Sequence, residues 1–198
     1  MKRFEDKTVI VTGGGGGIGS ASCLRLAAEG ARVAVLDRDL DAAQKTVEAV
    51  RQAGGQAAAF ACDITDRAQV DAAVAAVQAQ LGPVAALVNN AGWDVFKPFL
   101  KTSPAEWDKL IAINLTGALH MLHAVLPGMV ERGYGRVVNV ASDTARGGSS
   151  GEAVYSACKG GLLALSKTLA REHARHAITV NAVCPGPTDT ALLADVAE

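Results

Sequence analysis

Six short apolar runs recur along the chain, and longer alanine-rich stretches with helical periodicity separate them. This alternation constrains the fold more than any other feature. Strands separated by helices pair in parallel through right-handed crossovers and build a doubly wound sheet. The runs are KTVIVT (7–12), ARVAVLD (31–37), QAAAFACD (56–63), VAALVNN (84–90), RVVNVAS (136–142) and ITVNAVCPG (178–186). The spacing predicts helices over 18–30, closed by Gly30, over 40–55, and over 65–82 with Thr65 or Asp66 as N-cap. A long helical zone is expected from Pro104 towards Glu131, and another helix over 153–176. No linker, repeat or second composition interrupts the pattern, so residues 1–198 are expected to form a single α/β domain, a length that suits one well-buried core.

A glycine run follows the first strand at once, in VIVTGGGGGIGSAS. Such a loop opening a helix presents backbone N–H groups and a helix dipole to a pyrophosphate. Two registers fit: G-x-G-x-x-G selects Gly14, Gly16 and Gly19, whereas T-G-x-x-x-G-x-G selects Thr12, Gly13, Gly17 and Gly19. A nucleoside-triphosphate P-loop is excluded, because Ser20 stands where its lysine belongs. Asp37 ends the second strand 18 residues after Gly19. A carboxylate there accepts hydrogen bonds from adenosine ribose hydroxyls and repels a 2′-phosphate, which favours NAD over NADP. Arg38 works in the opposite sense, since an arginine compensates a phosphate. Asp63 fits either an adenine contact or a helix cap.

Tyr155 and Lys159, four positions apart on an expected helix, share a face. Ser142 ends the fifth strand thirteen residues before Tyr155. The set suits hydride chemistry at a secondary alcohol. Free tyrosine ionises near pH ~10, and a lysine ammonium together with a positive nicotinamide ring favours the phenolate. Ser142 is placed to hold the substrate oxygen, and Asn114 to hold a water that relays protons from Lys159. Trp93, Asp94, Asp143, Thr144, Arg146, Ser149 and Glu152 are candidate pocket residues, with Arg146 free to pair with a ligand phosphate, Asp143 or Glu152.

Composition narrows the partners. Hydrophobic residues make up 49% and charged residues 20%, while 19 basic and 20 acidic residues leave a net charge of -1. That balance gives no electrostatic ground for nucleic acid or an anionic membrane. Cys23, Cys62, Cys158 and Cys184 lack disulfide or zinc spacing, so reduced thiols and no metal are expected. With no leader-like N-terminus and no apolar run near the length of a membrane span, the expectation is a soluble cytoplasmic protein.

The segments TGGGGGIG (12–19), CDIT (62–65), NNAG (89–92), Asn114, Ser142, YSACK (155–159) and PGPTDT (185–190) together resemble the short-chain dehydrogenase/reductase family. The resemblance implies a Rossmann-type fold and the T-G-x-x-x-G-x-G register, with Gly14 to Gly16 as its variable positions. It implies Asn114, Ser142, Tyr155 and Lys159 as a catalytic tetrad, Tyr155 being the acid/base and Lys159 also bonding the nicotinamide ribose. Cofactor contacts by the same resemblance are Thr12, Gly13, Gly17, Ile18, Gly19 and Asp37 in the first half. Asp63, Ile64, Asn90, Ala91, Gly92, Pro185, Gly186 and Thr188 follow, with Asn89 included in the cleft wall.

Within the family, the sequence around NNAGWDVFKPF, 142–155 and CPGPTDTALLADV is similar to the 3-oxoacyl reductase-like branch. This implies NAD-dependent oxidation of a β-hydroxyacyl-CoA, such as a 2-hydroxycyclohexanecarboxyl thioester, by a homotetramer. The competing readings are an NADPH-dependent 3-oxoacyl-ACP reductase and a catalytically silent dinucleotide-binding protein. The family's final helix and strand are not matched after ALLADVAE, which fits either a shortened chain, whose pocket would be open, or a sequence that continues beyond Glu198.

Overall fold

Strand and helix alternate as expected. The computed structural model describes residues 2–190; the ALLADVAE tail at 191–198, on which the expectation of a shortened chain rests, lies outside them. Six strands, β1 (Thr8–Thr12), β2 (Arg32–Asp37), β3 (Gln56–Ala61), β4 (Val84–Asn89), β5 (Gly135–Val140) and β6 (Ile178–Val183), form one parallel sheet in the order β3-β2-β1-β4-β5-β6. The order reverses between β1 and β4, where an open parallel sheet forms its ligand crevice.

Both faces of the sheet are covered, as the near-continuous apolar strands require. On one face Val9, Val11, Val33 and Val35 pack with Cys23, Ala27, Val47 and Val50 of helices α1 (Gly17–Ala28) and α2 (Leu40–Gln52). On the other, the alternate residues Ile10, Ala34 and Leu36 meet α3 (Arg67–Leu81) and α5 (Gly117–Arg132) through Val70, Val74, Met121 and Met129. The period of two along each strand therefore divides a single strand's side chains between two cores.

Element ends differ from expectation by a few residues, because the loops that carry the cleft begin where ladder pairing stops. β3, β4, β5 and β6 end at Ala61, Asn89, Val140 and Val183, which releases Asp63, Asn90, Ser142 and the 184–186 segment into loops. Asp66, not Thr65, caps α3 by accepting the Ala68 and Gln69 N–H groups. The zone after Pro104 is α4 (Pro104–Ile111), a π turn (Ala112–Thr116) and α5 in continuous succession. At 29 residues this composite helix is long and apolar enough to span a membrane by length and composition, which corrects the expectation that no run comes near that length. Its apolarity has a local cause: Leu110, Met121, Leu122, Val125, Leu126 and Met129 are buried in the protein. The short helix α6 (Thr144–Gly147) was not expected, and α7 (Ala153–His173) ends in a 3₁₀ turn over Ala174–His176.

Candidate active site

The cofactor side of the crevice is shaped by backbone proximity. Gly13 has φ +61° and Gly17 φ +51°, a left-handed conformation that favours glycine. A Cβ at Gly13 would fall 2.8 Å from the Ala91 Cα, and one at Gly19 would collide with the Gly13 carbonyl oxygen. These three glycines let β1, the β4 loop and α1 meet. Thr12 clamps the same junction: its Oγ1 accepts the Asn90 N–H at 3.0 Å and the Ala91 N–H at 3.1 Å, and Asn90 Nδ2 donates to the Thr12 and Gly13 carbonyls at 3.0 Å each.

Gly14 and Gly15 stand at variable positions of the motif, yet both are closely packed in this chain. A Cβ at Gly14 would lie 2.7 Å from Val35 Cγ1, and one at Gly15 would lie 2.9 Å from Asp37 Oδ2. Only Gly16 among the three faces open space. It is also the N-cap of α1, which carries no side-chain cap and no acid in its first turn. An uncapped helix start with this cradle fits a phosphate.

Asp37 stands at the end of β2 as expected, and it also holds the loop. Its Oδ2 accepts the Gly15 N–H at 2.9 Å and its Oδ1 the Asp39 N–H at 3.1 Å. Asp63 is not a helix cap, since Asp66 caps α3; its Oδ1 accepts the Thr65 N–H at 2.9 Å and the Thr65 hydroxyl at 2.7 Å in the preceding turn, and the residue lines the cleft. Ile18, Ile64, Asn90, Ala91, Gly92, Pro185, Gly186 and Thr188 line the same cleft of about 1010 Å³. Gly117 permits the Ile64 wall, since a Cβ there would collide with the Ile64 side chain. Asn89 does not line it. Its Nδ2 donates at 2.9 Å to Asn139, whose own amide reaches Ser166 at 2.8 Å, so Asn89 belongs to a buried chain of polar groups.

At the other end of the cleft, α7 brings Tyr155 and Lys159 onto one face beside Ser142. Lys159 is buried, its Nζ donating to the Val140 carbonyl at 3.0 Å and lying 5.4 Å from the centre of the Tyr155 ring. Ser142 lines the cleft with Tyr155, and its Oγ accepts from Thr144 Oγ1 at 3.2 Å. Asn114 sits in the π turn, a local widening that recurs at functional sites. Its Nδ2 donates to the Trp93 and Leu110 carbonyls at 2.7 and 3.0 Å, and its Oδ1 accepts the Trp93 N–H at 3.2 Å. A Cβ at Gly92 would lie 3.1 Å from Asn114 Oδ1 and 3.3 Å from Lys159 Nζ. The glycine therefore keeps the space between those two groups clear.

Burial works against both charged forms. It pulls Lys159 down to about 8. It pushes Tyr155 up to about 12, with the Asp94 charge adding to the rise and the Ser142 hydrogen bond opposing it. Asp94 is pushed up to about 7, by burial first and by its hydrogen bond to Glu152 second.

Trp93 forms part of the wall, with Lys109 Nζ 3.7 Å from its ring centre. Lys109, Ile113 and Phe96 line the cleft without having been expected; the i,i+4 spacing of Lys109 and Ile113 was the available signal. Among the described residues Arg146 forms an ion pair with neither Asp143 nor Glu152.

A crevice at the strand-order switch, cradling a dinucleotide at one end and gathering a hydroxyl, a phenol and a buried amine at the other, defines a nicotinamide-dinucleotide oxidoreductase of Rossmann type. The short chain dehydrogenase family model matches residues 7–198, and the chain belongs to the short-chain dehydrogenase/reductase family. It is 41% identical over 192 residues to an acetoacetyl-CoA reductase of Rhizobium meliloti, covering 97% of this chain and 78% of that protein. Among solved structures it resembles NAD+-bound xylitol dehydrogenase, with TM-score 0.91 and 39% identity over 93% of this chain and 72% of that one. It also resembles a variant of actinorhodin polyketide ketoreductase solved with NADPH, with TM-score 0.94 and 39% identity over 99% of this chain and 75% of that one.

Proposed function

We propose that the protein interconverts a β-hydroxyacyl-CoA and the corresponding β-ketoacyl-CoA with NAD(H), Tyr155 being the acid/base group. The observation that carries this reading is the convergence of Tyr155, Ser142 and Lys159 in the same cleft as the glycine cradle and Asp37. The likeness to acetoacetyl-CoA reductase supports the thioester class. A bound nicotinamide dinucleotide supplies the hydride acceptor or donor. Thr12 to Gly19, Asp37, Asp63, Ile64, Asn90 to Gly92 and Pro185 to Thr188 would hold it.

The chain's own part is proton handling and positioning. Ser142 Oγ, in the same cleft as Tyr155, holds the substrate oxygen at the phenol. Tyr155 takes the hydroxyl proton in oxidation and returns it to the ketone in reduction. Lys159, fixed by the Val140 carbonyl, holds positive charge near the phenol. The space beside Gly92 admits a water between Lys159 Nζ and Asn114 Oδ1, through which the proton passes on. The Trp93 and Phe96 rings give the acyl group an apolar wall.

Arg38 also lines the cleft and supports a second reading, an NADPH-dependent 3-oxoacyl-ACP reductase. A panel of cyclic and linear hydroxyacyl-CoA thioesters, with xylitol as a polyol control, assayed in parallel with NAD+ and NADP+ by absorbance of the reduced cofactor separates these classes. Tyr155→Phe should lower turnover by about 10²–10⁴-fold with NADH affinity retained. An unchanged rate would remove Tyr155 from the chemistry, and turnover of xylitol alone would remove the thioester claim.

A further inference from the structure

A cation stands on the wall of the cleft with no acid to hold it. Lys109 of α4 places its Nζ 3.7 Å from the centre of the Trp93 ring, and both residues line the cleft. The Trp93 backbone is fixed, because Asn114 Oδ1 accepts its N–H at 3.2 Å and Asn114 Nδ2 donates to its carbonyl at 2.7 Å. On its own helix, the acid within reach of Lys109 is Glu106, three residues before it. That carboxylate is taken. Lys97 Nζ donates to its Oε1 at 2.9 Å, and the Ser103 N–H and hydroxyl donate to its Oε2 at 2.7 and 2.9 Å. Among the described residues Lys109 forms no ion pair.

The helix face that carries Lys109 looks toward the loop after β3. Ile113, four residues on, also lines the cleft, and Gly117, four further, packs against Ile64 beside Asp63. The glycine cradle brings no cation of its own: none occurs from Gly13 to Leu24, and Arg25 is bound to Glu29. A dinucleotide carries its negative pyrophosphate into a cleft whose described lining has five acidic residues against three cations, Arg38, Lys109 and Lys159. Lys159 is bound to the Val140 carbonyl on the same helix face as Tyr155, and Arg38 directly follows Asp37 at the ribose end. Lys109 is the cation left for the phosphates.

We propose that Lys109, seated on the Trp93 ring, is a cofactor-retention residue whose positive charge holds the phosphates of the bound dinucleotide. The inference rests on the cleft binding a nicotinamide dinucleotide, and on neither the thioester nor the choice between NAD and NADP. A cation over an aromatic face is attracted by the ring quadrupole and keeps its full charge. The ring thus presents the ammonium at the cleft wall instead of leaving it on a side chain that swings into solvent. Because the charge is exposed, salt screens its pull.

Lys109 is exposed, so Lys109→Met leaves the core intact. Calorimetric titration should show this variant binding NADH and ADP about fivefold more weakly than wild type, while adenosine, which has no phosphate, binds both equally. NADPH should lose the same factor, Lys109→Arg should restore most of it, and the difference should vanish in ~1 M salt. An ADP affinity that Lys109→Met leaves unchanged overturns the proposal. So does an equal loss for adenosine, which would mark a purely structural role. None of these titrations needs a substrate, so inactivity on every thioester leaves the test intact. A wild-type protein that bound neither NADH nor ADP would instead remove the cofactor site and this inference with it.

Discussion

Replacing Asp37 should change which nicotinamide cofactor the protein prefers. The carboxylate is half-buried at the end of β2 and is held by the Gly15 and Asp39 N–H groups. A unit charge pair 4 Å apart is worth about 1 kcal/mol in water and about 4 kcal/mol at an effective dielectric of 20. At a half-exposed position about 2 kcal/mol per pair is reasonable, so a 2′-phosphate beside Asp37 loses about 30-fold in affinity. Asp37→Ser removes that repulsion and also removes a hydrogen bond from a ribose hydroxyl to a charged group, worth about 1.5–3 kcal/mol to NADH. The Gly15 N–H loses its acceptor as well, which loosens the cradle for both cofactors and cancels in their ratio. The NADH-to-NADPH affinity ratio should therefore fall by about two and a half to three and a half orders of magnitude. Direct titration by cofactor fluorescence measures it without a substrate. Asp37→Asn, which keeps the shape and drops the charge, should reproduce the gain for NADPH. A ratio that stays within threefold of wild type in both variants would refute carboxylate-based selection and return the choice to Arg38.

Two further outcomes follow from the same cleft. Gly16→Ala should be neutral or stabilising by about 0.4–1 kcal/mol, because its side faces open space and its backbone is extended at φ -161°. Gly14→Ala should destabilise by about 1–3 kcal/mol through the Val35 contact, and equal urea midpoints for the two variants would contradict the geometry. Lys159→Met should destroy activity yet raise stability at neutral pH. The folded-state value of about 8 lies below the ordinary lysine value of 10.5, so the unfolded chain binds more protons between them and wild-type stability climbs with pH across that window. Below pH 8 the full cost of charging a buried amine is present, about 3 kcal/mol, and the advantage of methionine should shrink between pH 8 and 9.5 in urea melts.

The order of elements was legible because it depends on local pattern. A β-branched run followed by a helical stretch commits a segment to one crossover, and six such runs leave little choice of sheet. Asp37, Tyr155 and Lys159 were legible for the same reason: each has a fixed offset from the end of a strand or along one helix face. Two things required the tertiary structure. Gly14 and Gly15 look interchangeable with Gly16 in sequence, and only the approach of Val35 and the Asp37 carboxylate separates them. Asp94 and Glu152 were both visible as pocket residues, but 58 positions separate them and nothing local says that they line one cleft. The π turn at Ala112–Thr116 was equally hidden, since one extra residue per turn leaves no mark on an apolar pattern that runs through it.

The charges around Tyr155 bear on the direction in which this cleft is prepared to act. A site shaped only to take protons from alcohols would surround its phenol with cations and exposed donors. Here burial raises the phenol, Asp94 raises it further, and the Lys159 ammonium beside it is itself weakened by burial. Ser142 is the group that opposes the rise in Tyr155, and a hydrogen bond of that kind favours the phenolate by about 1.5–3 kcal/mol. Taking the phenol from about 12 to neutral pH costs roughly twice that. Protein groups alone therefore leave Tyr155 a proton donor. Positive charge brought into the cleft must supply the rest for oxidation, whereas reduction starts from the protonation state the fold already holds.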